Sequence, residues 1–360
     1  MEKDFLKKLI SIESISGNEN KIIEYIKNFF ERNKIRANID SVGNIIAEIG
    51  SGSNCLIFSS HVDTVPDFLK VQEKNGKIFG RGAVDDKSTT AAMILSFLKF
   101  KESNLNKRIK YIGIVEEEIS LKGMQPFISE KIKADAAIFG EPTNNMVSIA
   151  YKGRLLYEVS LINLKGPQHP ANISDYENPI LLTFQIWNEI EKFFSDNYRG
   201  KTPFFSVIPN LTVINTNNNS NIIPDKCNFS IDIRIPPSIS LEELNQKITV
   251  IFKKYKESYP INIKFKLLSK IPGYRIDKNE KIVKISQEAV KSILDVEPKL
   301  IRKTGTNFMN IFGEILGIPT VSIGPGNPKL EHTKEESIDI QEYEKAIKIF
   351  EKIIELYLTS

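Results

Sequence analysis

The chain is poor in histidine, cysteine and tryptophan, with three, two and one of them among 360 residues. Cys55 and Cys227 lie far apart in apolar stretches, which excludes a disulfide-stapled scaffold and leads us to expect reduced, buried thiols in a cytoplasmic protein. No apolar run approaches the roughly 18–20 residues that a membrane span needs. The opening Met1-Glu2-Lys3-Asp4 is charged and no apolar signal core follows it, so no export signal is expected. Excess charge of one sign is missing as well: 49 Lys+Arg against 45 Asp+Glu leaves +4. That surplus is spread along the chain without a basic block, which argues against nucleic acid. It leaves a weak attraction for an acidic partner.

What is present is ordinary globular composition, 41% hydrophobic and 26% charged. The length exceeds what one core usually serves, so two domains are expected. The first third alternates strand and helix. An amphipathic helix opens at Asn18 and Glu19, strands run Asn44–Ile49 and Cys55–Ser59, and a helix spans Asp86–Lys101. Strands recur at Tyr111–Val115 and Ala134–Phe139. This alternation predicts an α/β fold with a buried, mainly parallel sheet. From Leu155 to Lys266 the order becomes βαββαβ, the ferredoxin-like arrangement. Its elements are Leu156–Ile162, Pro179–Phe194, Ser206–Ile214, Asn228–Ile235, Leu241–Tyr255 and Ile261–Phe265. Alternation then returns with a helix at Ile282–Leu294, a strand at Lys299–Arg302, a helix at Asn307–Leu316, a strand at Thr320–Ile323 and a helix at Gln341–Leu358. The simplest organisation is an α/β domain from 1–154 and 267–360, interrupted by a smaller α+β domain at 155–266. No internal repeat occurs, and the polar tract Asn215–Asn221 is a loop between strands.

With so few histidines, each position is informative. His61 follows a strand, with Asp63 two residues on, placed to hold the second imidazole nitrogen. Gly80-Arg81-Gly82-Ala83-Val84-Asp85-Asp86-Lys87 is a glycine-rich turn into a helix. Asp86 is a candidate N-cap, which leaves Asp85 projecting where one carboxylate can bridge two cations. Glu116-Glu117-Glu118 begins where a buried strand stops. Glu141 follows the strand ending Phe139-Gly140, and His332 follows strand Thr320–Ile323 through Gly324-Pro325-Gly326-Asn327. All these groups lie beyond carboxyl ends of strands, the ligand-binding edge of an α/β sheet. Two His, one Asp and two Glu suit a pair of zinc-like ions, about 3.5–4 Å apart if an aspartate is shared. A remaining glutamate could serve as general base on an activated water.

These residues resemble the M20 metallopeptidase and deacylase family, which includes acetylornithine deacetylase, succinyl-diaminopimelate desuccinylase and carboxypeptidase G-like enzymes. The match runs nearly end to end. It rests on His61-Val62-Asp63-Thr64-Val65-Pro66, Gly80–Lys87, Glu117-Glu118, Gly140-Glu141-Pro142-Thr143 and Glu331-His332-Thr333. The resemblance implies a zinc-exopeptidase-like catalytic domain with an inserted lid and dimerisation domain. It also implies two divalent ions per subunit, zinc or cobalt: one on His61, Asp85 and Glu141, the other on Asp85, Glu118 and His332. Asp63 would orient His61, and Glu117 would be the general base. Family members read Asp-Glu-Glu with a glycine five residues after the second Glu. Gly123 stands five after Glu118, which makes Glu118 the ligand, while Glu116 replaces the usual Asp.

His169, in Gly166-Pro167-Gln168-His169, resembles the family histidine that stabilises the oxyanion in a partner subunit's site, which implies a homodimer. Pro170 intervenes before the small residue Ala171, a departure. Arg234 could clamp a substrate carboxylate through its planar fork or pair with Asp232. Arg154 carries the same alternatives. Gly305-Thr306-Asn307 and Gly324–Asn327 look like pocket loops. The resemblance is nearest to the branch that releases lysine or ornithine from a small acidic amino-group carrier protein. It is carried by Arg302–Ile311 and by Gly324–Asn327 leading to Glu331-His332-Thr333, with Phe308 where that branch often has an acid. The implied function is two-metal hydrolysis of a linear amide, from an N-acyl or carrier-linked amino acid, in lysine or arginine biosynthesis. N-acetylornithine deacetylase, succinyl-diaminopimelate desuccinylase and dipeptidase activity are the alternatives, and no nucleic-acid or membrane partner is implied.

Overall fold

The computed structural model describes residues 2–102, 105–171, 178–216 and 220–360. Positions 217–219 of the expected polar loop lie outside the described residues. The chain divides into two compact units: Met1–Ala150, Arg275–Arg302 and Asn307–Ser360 form the first, Tyr151–Tyr274 and Lys303–Thr306 the second.

In the first unit, strands Arg108–Ile114, Cys55–His61, Ala136–Gly140 and Thr320–Ile323 are neighbours in that order and run parallel. Strands Ile45–Ile49 and Ala37–Ile39 extend one side antiparallel. The mainly parallel α/β sheet expected from the alternation is therefore present. Cys55–His61 is buried at every position, as a strand covered on both faces must be. Register sets His61 beside Ile114, Ser59 beside Phe139 and Ile323 beside Gly140. The chain thus leaves these four strands at one common edge.

Helix Lys87–Leu98 is buried from Lys87 to Phe97, so it has no solvent-facing stripe and sits in the core. Helix Ile340–Thr359 buries Tyr343, Ala346, Ile347, Phe350, Ile353, Ile354 and Tyr357 on one stripe, and Asp339 caps it by accepting the Gln341 and Glu342 N–H groups. The helix expected over Asn307–Leu316 is present at 309–315, widened over Ile311–Ile315 so that the Leu316 N–H reaches the Ile311 carbonyl. Gly313 weakens ordinary helix there.

The second unit is a four-stranded antiparallel sheet in the order Ile208–Asn215, Lys226–Ile235, Gly153–Ile162, Asn262–Ile271. With helices Pro179–Asn197 and Leu241–Ser258, this is the ferredoxin-like order. Leu155, Tyr157, Val159 and Leu161 alternate onto the face covered by Ile186, Ile190, Ile248 and Phe252, the period-2 consequence of pleating. Lys303–Thr306 joins this unit through its backbone. Gly305 O accepts the Lys152 N–H at 3.0 Å, and Thr306 Oγ1 donates to Lys152 O at 2.7 Å.

Cys55 and Cys227 are buried and unbridged. Among the described residues, no helix is long and apolar enough to cross a membrane.

Candidate active site

At the carboxyl edge of the parallel strands, Asp85 stands between two imidazoles. Its Oδ1 lies 2.8 Å from His61 Nε2, and its Oδ2 lies 3.1 Å from His332 Nε2. His332 Nε2 is also 2.9 Å from Glu118 Oε1. Ligand atoms of His61, Asp85 and Glu118 fall within 4.8 Å of one another. Glu141, directly after the neighbouring strand, is buried.

Charge in this basin is unbalanced. Burial opposes ionisation of Asp85, yet His61 and His332 hold its carboxyl well below the usual range. Burial likewise opposes a charged His61, but Asp85 and Asp63 keep its pKa well above normal. Contact with Asp85 and Glu118 pushes His332 up to about 10. Glu117 moves well above the carboxylate range, first through burial and then through Glu118, Asp63 and Asp85, against His61. Glu141 follows for the same reason, with burial leading and Asp85 and Glu117 adding. Packed carboxylates outnumber the imidazoles, and a mixed nitrogen–oxygen donor set with both oxygens of one carboxylate facing two histidines fits divalent cations.

The glutamate turn is held from outside. Four successive N–H groups meet side-chain oxygens. Val115 donates to Asn44 Oδ1 at 3.0 Å and Glu116 to Glu19 Oε1 at 3.1 Å. Glu117 donates to Asp63 Oδ1 at 3.0 Å and Glu118 to Asp63 Oδ2 at 3.1 Å. Ser16 Oγ adds a bond to Asp63 Oδ2 at 2.7 Å. Asp63 meets His61 mainly through its main chain: Nδ1 is 3.1 Å from the Asp63 carbonyl and 3.5 Å from its carboxylate. A carbonyl only accepts, so Nδ1 carries the hydrogen and Nε2 faces Asp85. Glu116 takes a left-handed φ of 55°, a conformation aspartate visits more readily than glutamate. Its carboxylate is fastened by Ser120 and Lys122.

Asn44 and Glu19 escaped the sequence reading, which used one as a strand start and the other as a helix start. Both are buried polar residues, and only the fold reveals what they hold. The capping role expected of Asp86 is corrected. It occupies the N-cap position of helix Lys87–Leu98, but its side chain makes no capping bond, and burial with Asp85 alongside holds its carboxyl well above the usual range.

In the second unit, Arg154 and Arg234 are directly opposite each other across paired strands. Both converge on Asp232, Arg154 Nε donating to Oδ2 at 2.6 Å and Arg234 Nε to Oδ1 at 2.7 Å. The pairing alternative is thus realised for both, and one carboxylate against two guanidiniums leaves a positive charge over. His169 is exposed in a loop, and its Nδ1 accepts the Ala171 N–H at 3.2 Å. Gly305 and Thr306 fasten the Lys152 backbone. In the first unit, Asn307 is buried with Oδ1 accepting the Met309 N–H at 3.0 Å. Phe308 is 1% exposed and lies edge-on to Phe139 at 6.1 Å, so it is a core residue.

Residues 57–356 match the model of Peptidase family M20/M25/M40. The LysW-lysine/LysW-ornithine hydrolase of Sulfurisphaera tokodaii is 29% identical, over 98% of this chain and 94% of that protein. The acetylornithine deacetylase of Buchnera aphidicola is 28% identical, over 96% of this chain and 95% of its own. Among solved structures, the M20 family metallo-carboxypeptidase Sso-CP2 from Sulfolobus solfataricus has the same fold. It matches with a TM-score of 0.86 at 21% identity, covering 100% of this chain and 99% of its own.

Proposed function

Because the chain belongs to peptidase family M20/M25/M40, we propose that it hydrolyses an amide bond to release lysine or ornithine from a carrier-protein-linked precursor. The observation that carries this reading is Asp85 set between His61 and His332 at 2.8 and 3.1 Å, with Glu118 on His332 at 2.9 Å. His61, Asp85 and Glu141 would hold one divalent ion and Asp85, Glu118 and His332 a second, zinc being the ion that best suits the donors. When bound, such ions supply Lewis acidity to the scissile carbonyl and to a water.

The chain's own groups handle the proton. The Glu117 carboxylate takes it from the attacking water and returns it to the leaving amine nitrogen, so the acyl carbon gains O–H as the C–N bond breaks. Asp63 keeps Glu117 in place through the N–H bond described above. The positive charge that Arg154 and Arg234 leave over against Asp232 would suit a substrate carboxylate.

His169 would donate to the oxyanion of a second copy's site. A homodimer is supported by strand Ile208–Asn215, which ends its sheet and exposes Val213 and Ile214 at 49% and 41%. An edge of that kind invites pairing. The carrier reading draws support from the similarity to the Sulfurisphaera tokodaii protein. Similarity to the Buchnera aphidicola protein, only one percentage point lower in identity, favours N-acetylornithine deacetylation as the second reading.

The test is amine release by zinc- or cobalt-reconstituted protein on a matched panel. It contains N-acetylornithine, N-acetyllysine, succinyl-diaminopimelate, a dipeptide, and carrier protein charged with lysine or ornithine. Preference for the charged carrier is expected. Turnover of N-acetylornithine alone would replace this reading with the second, and release from none, with both ions bound, would end both.

A further inference from the structure

Glu336 lies four residues after His332 and touches neither imidazole, yet it grips the loop that carries Asp85. The short strands Lys77–Phe79 and Ser337–Asp339 pair antiparallel with Phe79 opposite Ser337. That register brings Gly80 against Glu336, and the Gly80 N–H donates to the Glu336 carbonyl at 3.2 Å. The Glu336 side chain then takes the rest of the turn. Oε1 accepts the Val84 N–H at 2.9 Å and the Asp85 N–H at 3.1 Å, while Oε2 accepts Arg81 Nη1 at 2.7 Å.

Arg81 completes the clamp. Its Nη1 also donates to the carbonyl of Thr333, next to His332, at 3.2 Å, and its Nε donates to Asp67 O at 3.2 Å. Both side chains are almost fully buried, 6% exposed for Arg81 and 1% for Glu336. A buried ion pair is a poor source of net stability, because desolvation offsets most of its attraction. Its value here is geometric. It joins two loops 247 residues apart in sequence whose side chains, Asp85 and His332, must meet at one point. Glycine-rich backbone such as Gly80–Asp85 has wide conformational freedom, so the main chain of Asp85 needs an external hold.

We infer that Glu336, acting with Arg81, is a positioning residue that sets the Asp85 carboxylate between His61 and His332, so that ion affinity depends on two side chains that touch no ion. The inference rests on the two-ion reading of the site. In Glu336→Gln one acceptor oxygen becomes an N–H₂ group. Either that group faces Arg81, or it faces the N–H groups of Val84 and Asp85. A donor meets a donor in both cases, and a buried donor left without an acceptor costs free energy. Arg81→Lys keeps the charge, but a single ammonium cannot reach Glu336, Thr333 and Asp67 together.

The experiment titrates Zn²⁺ against a competing chelator in the apo forms of wild type, Glu336→Gln, Arg81→Lys and Asp85→Asn. Circular dichroism and thermal unfolding of each apo form accompany the titration. The inference predicts Zn²⁺ binding weakened by about 10–100-fold in Glu336→Gln and Arg81→Lys, the usual effect of removing a group that orients a ligand, with the fold retained. Should Glu336→Gln fail to fold, Arg81→Lys decides alone. Wild-type Zn²⁺ affinity with only a lowered unfolding temperature would reduce the pair to a structural role and overturn the inference. Wild-type protein that binds no ion, or Asp85→Asn that binds as tightly as wild type, would overturn the two-ion reading and the inference with it.

Discussion

The carboxylate of Asp63 receives the N–H of Glu117 at 3.0 Å on one oxygen and that of Glu118 at 3.1 Å on the other. One buried side chain thus fixes the main chain of both the proposed base and the proposed ligand. Asp63→Asn keeps the volume but turns one acceptor into a donor facing an N–H group. We expect kcat to fall by about 10–100-fold with little change in KM, as for other residues that orient a ligand. Steady-state kinetics checks this, and kcat within twofold of wild type would contradict it.

Gly123 packs beneath the same turn. A Cβ there would sit 2.3 Å from the Val115 carbonyl oxygen and 2.4 Å from Ile114 Cγ2. Backbone cannot give way as a flexible side chain can, so Gly123→Ala should destabilise the protein by about 1–3 kcal/mol, the range for overpacking. Thermal unfolding measures it, and an unchanged midpoint would show that the turn has room. The family-like spacing of Gly123 from Glu118 thereby acquires a steric reason.

Lys152, in the second unit, gives a pH dependence of its own. Burial, with Arg234 adding, pushes it down to about 8 from 10.5. The unfolded chain then holds this proton more tightly than the folded one, so stability rises with pH between about 8 and 10.5, and the full cost is present below that window. Relative to Lys152→Met, wild type should gain stability between pH 7 and pH 10 in denaturant unfolding. A gap that does not change with pH would contradict this.

The strands and main helices were legible because their signals are local. The strand expected at Cys55–Ser59 runs two residues further to His61, and Phe229, Ile231, Ile233 and Ile235 alternate onto the buried face. Glu118, Glu141 and His332 do follow strand ends, and His61 closes its strand rather than following it, all at the one edge to which a parallel sheet sends its carboxyl ends. Helix Glu2–Ser11 carries a local stripe of the same kind in Phe5, Leu6, Leu9 and Ile10. Illegible were the contacts between distant short segments. Lys77–Phe79 and Ser337–Asp339 are three residues each, too short for any period, and the Arg81–Glu336 pair spans 255 residues. Phe308, which stands where the resembling branch often has an acid, is buried edge-on to Phe139. A single position cannot announce its burial.

The division of labour between adjacent glutamates is the central claim, and one paired measurement tests it most directly. Ions bound per chain and amine release are measured together for wild type, Glu117→Gln and Glu118→Gln. The account predicts that Glu117→Gln keeps the wild-type ion content while turnover falls by about 10²–10⁴-fold, the usual contribution of a general base, and that Glu118→Gln loses an ion. Near wild-type turnover in Glu117→Gln, or loss of an ion from it with Glu118→Gln fully loaded, would contradict the account and reverse the two roles.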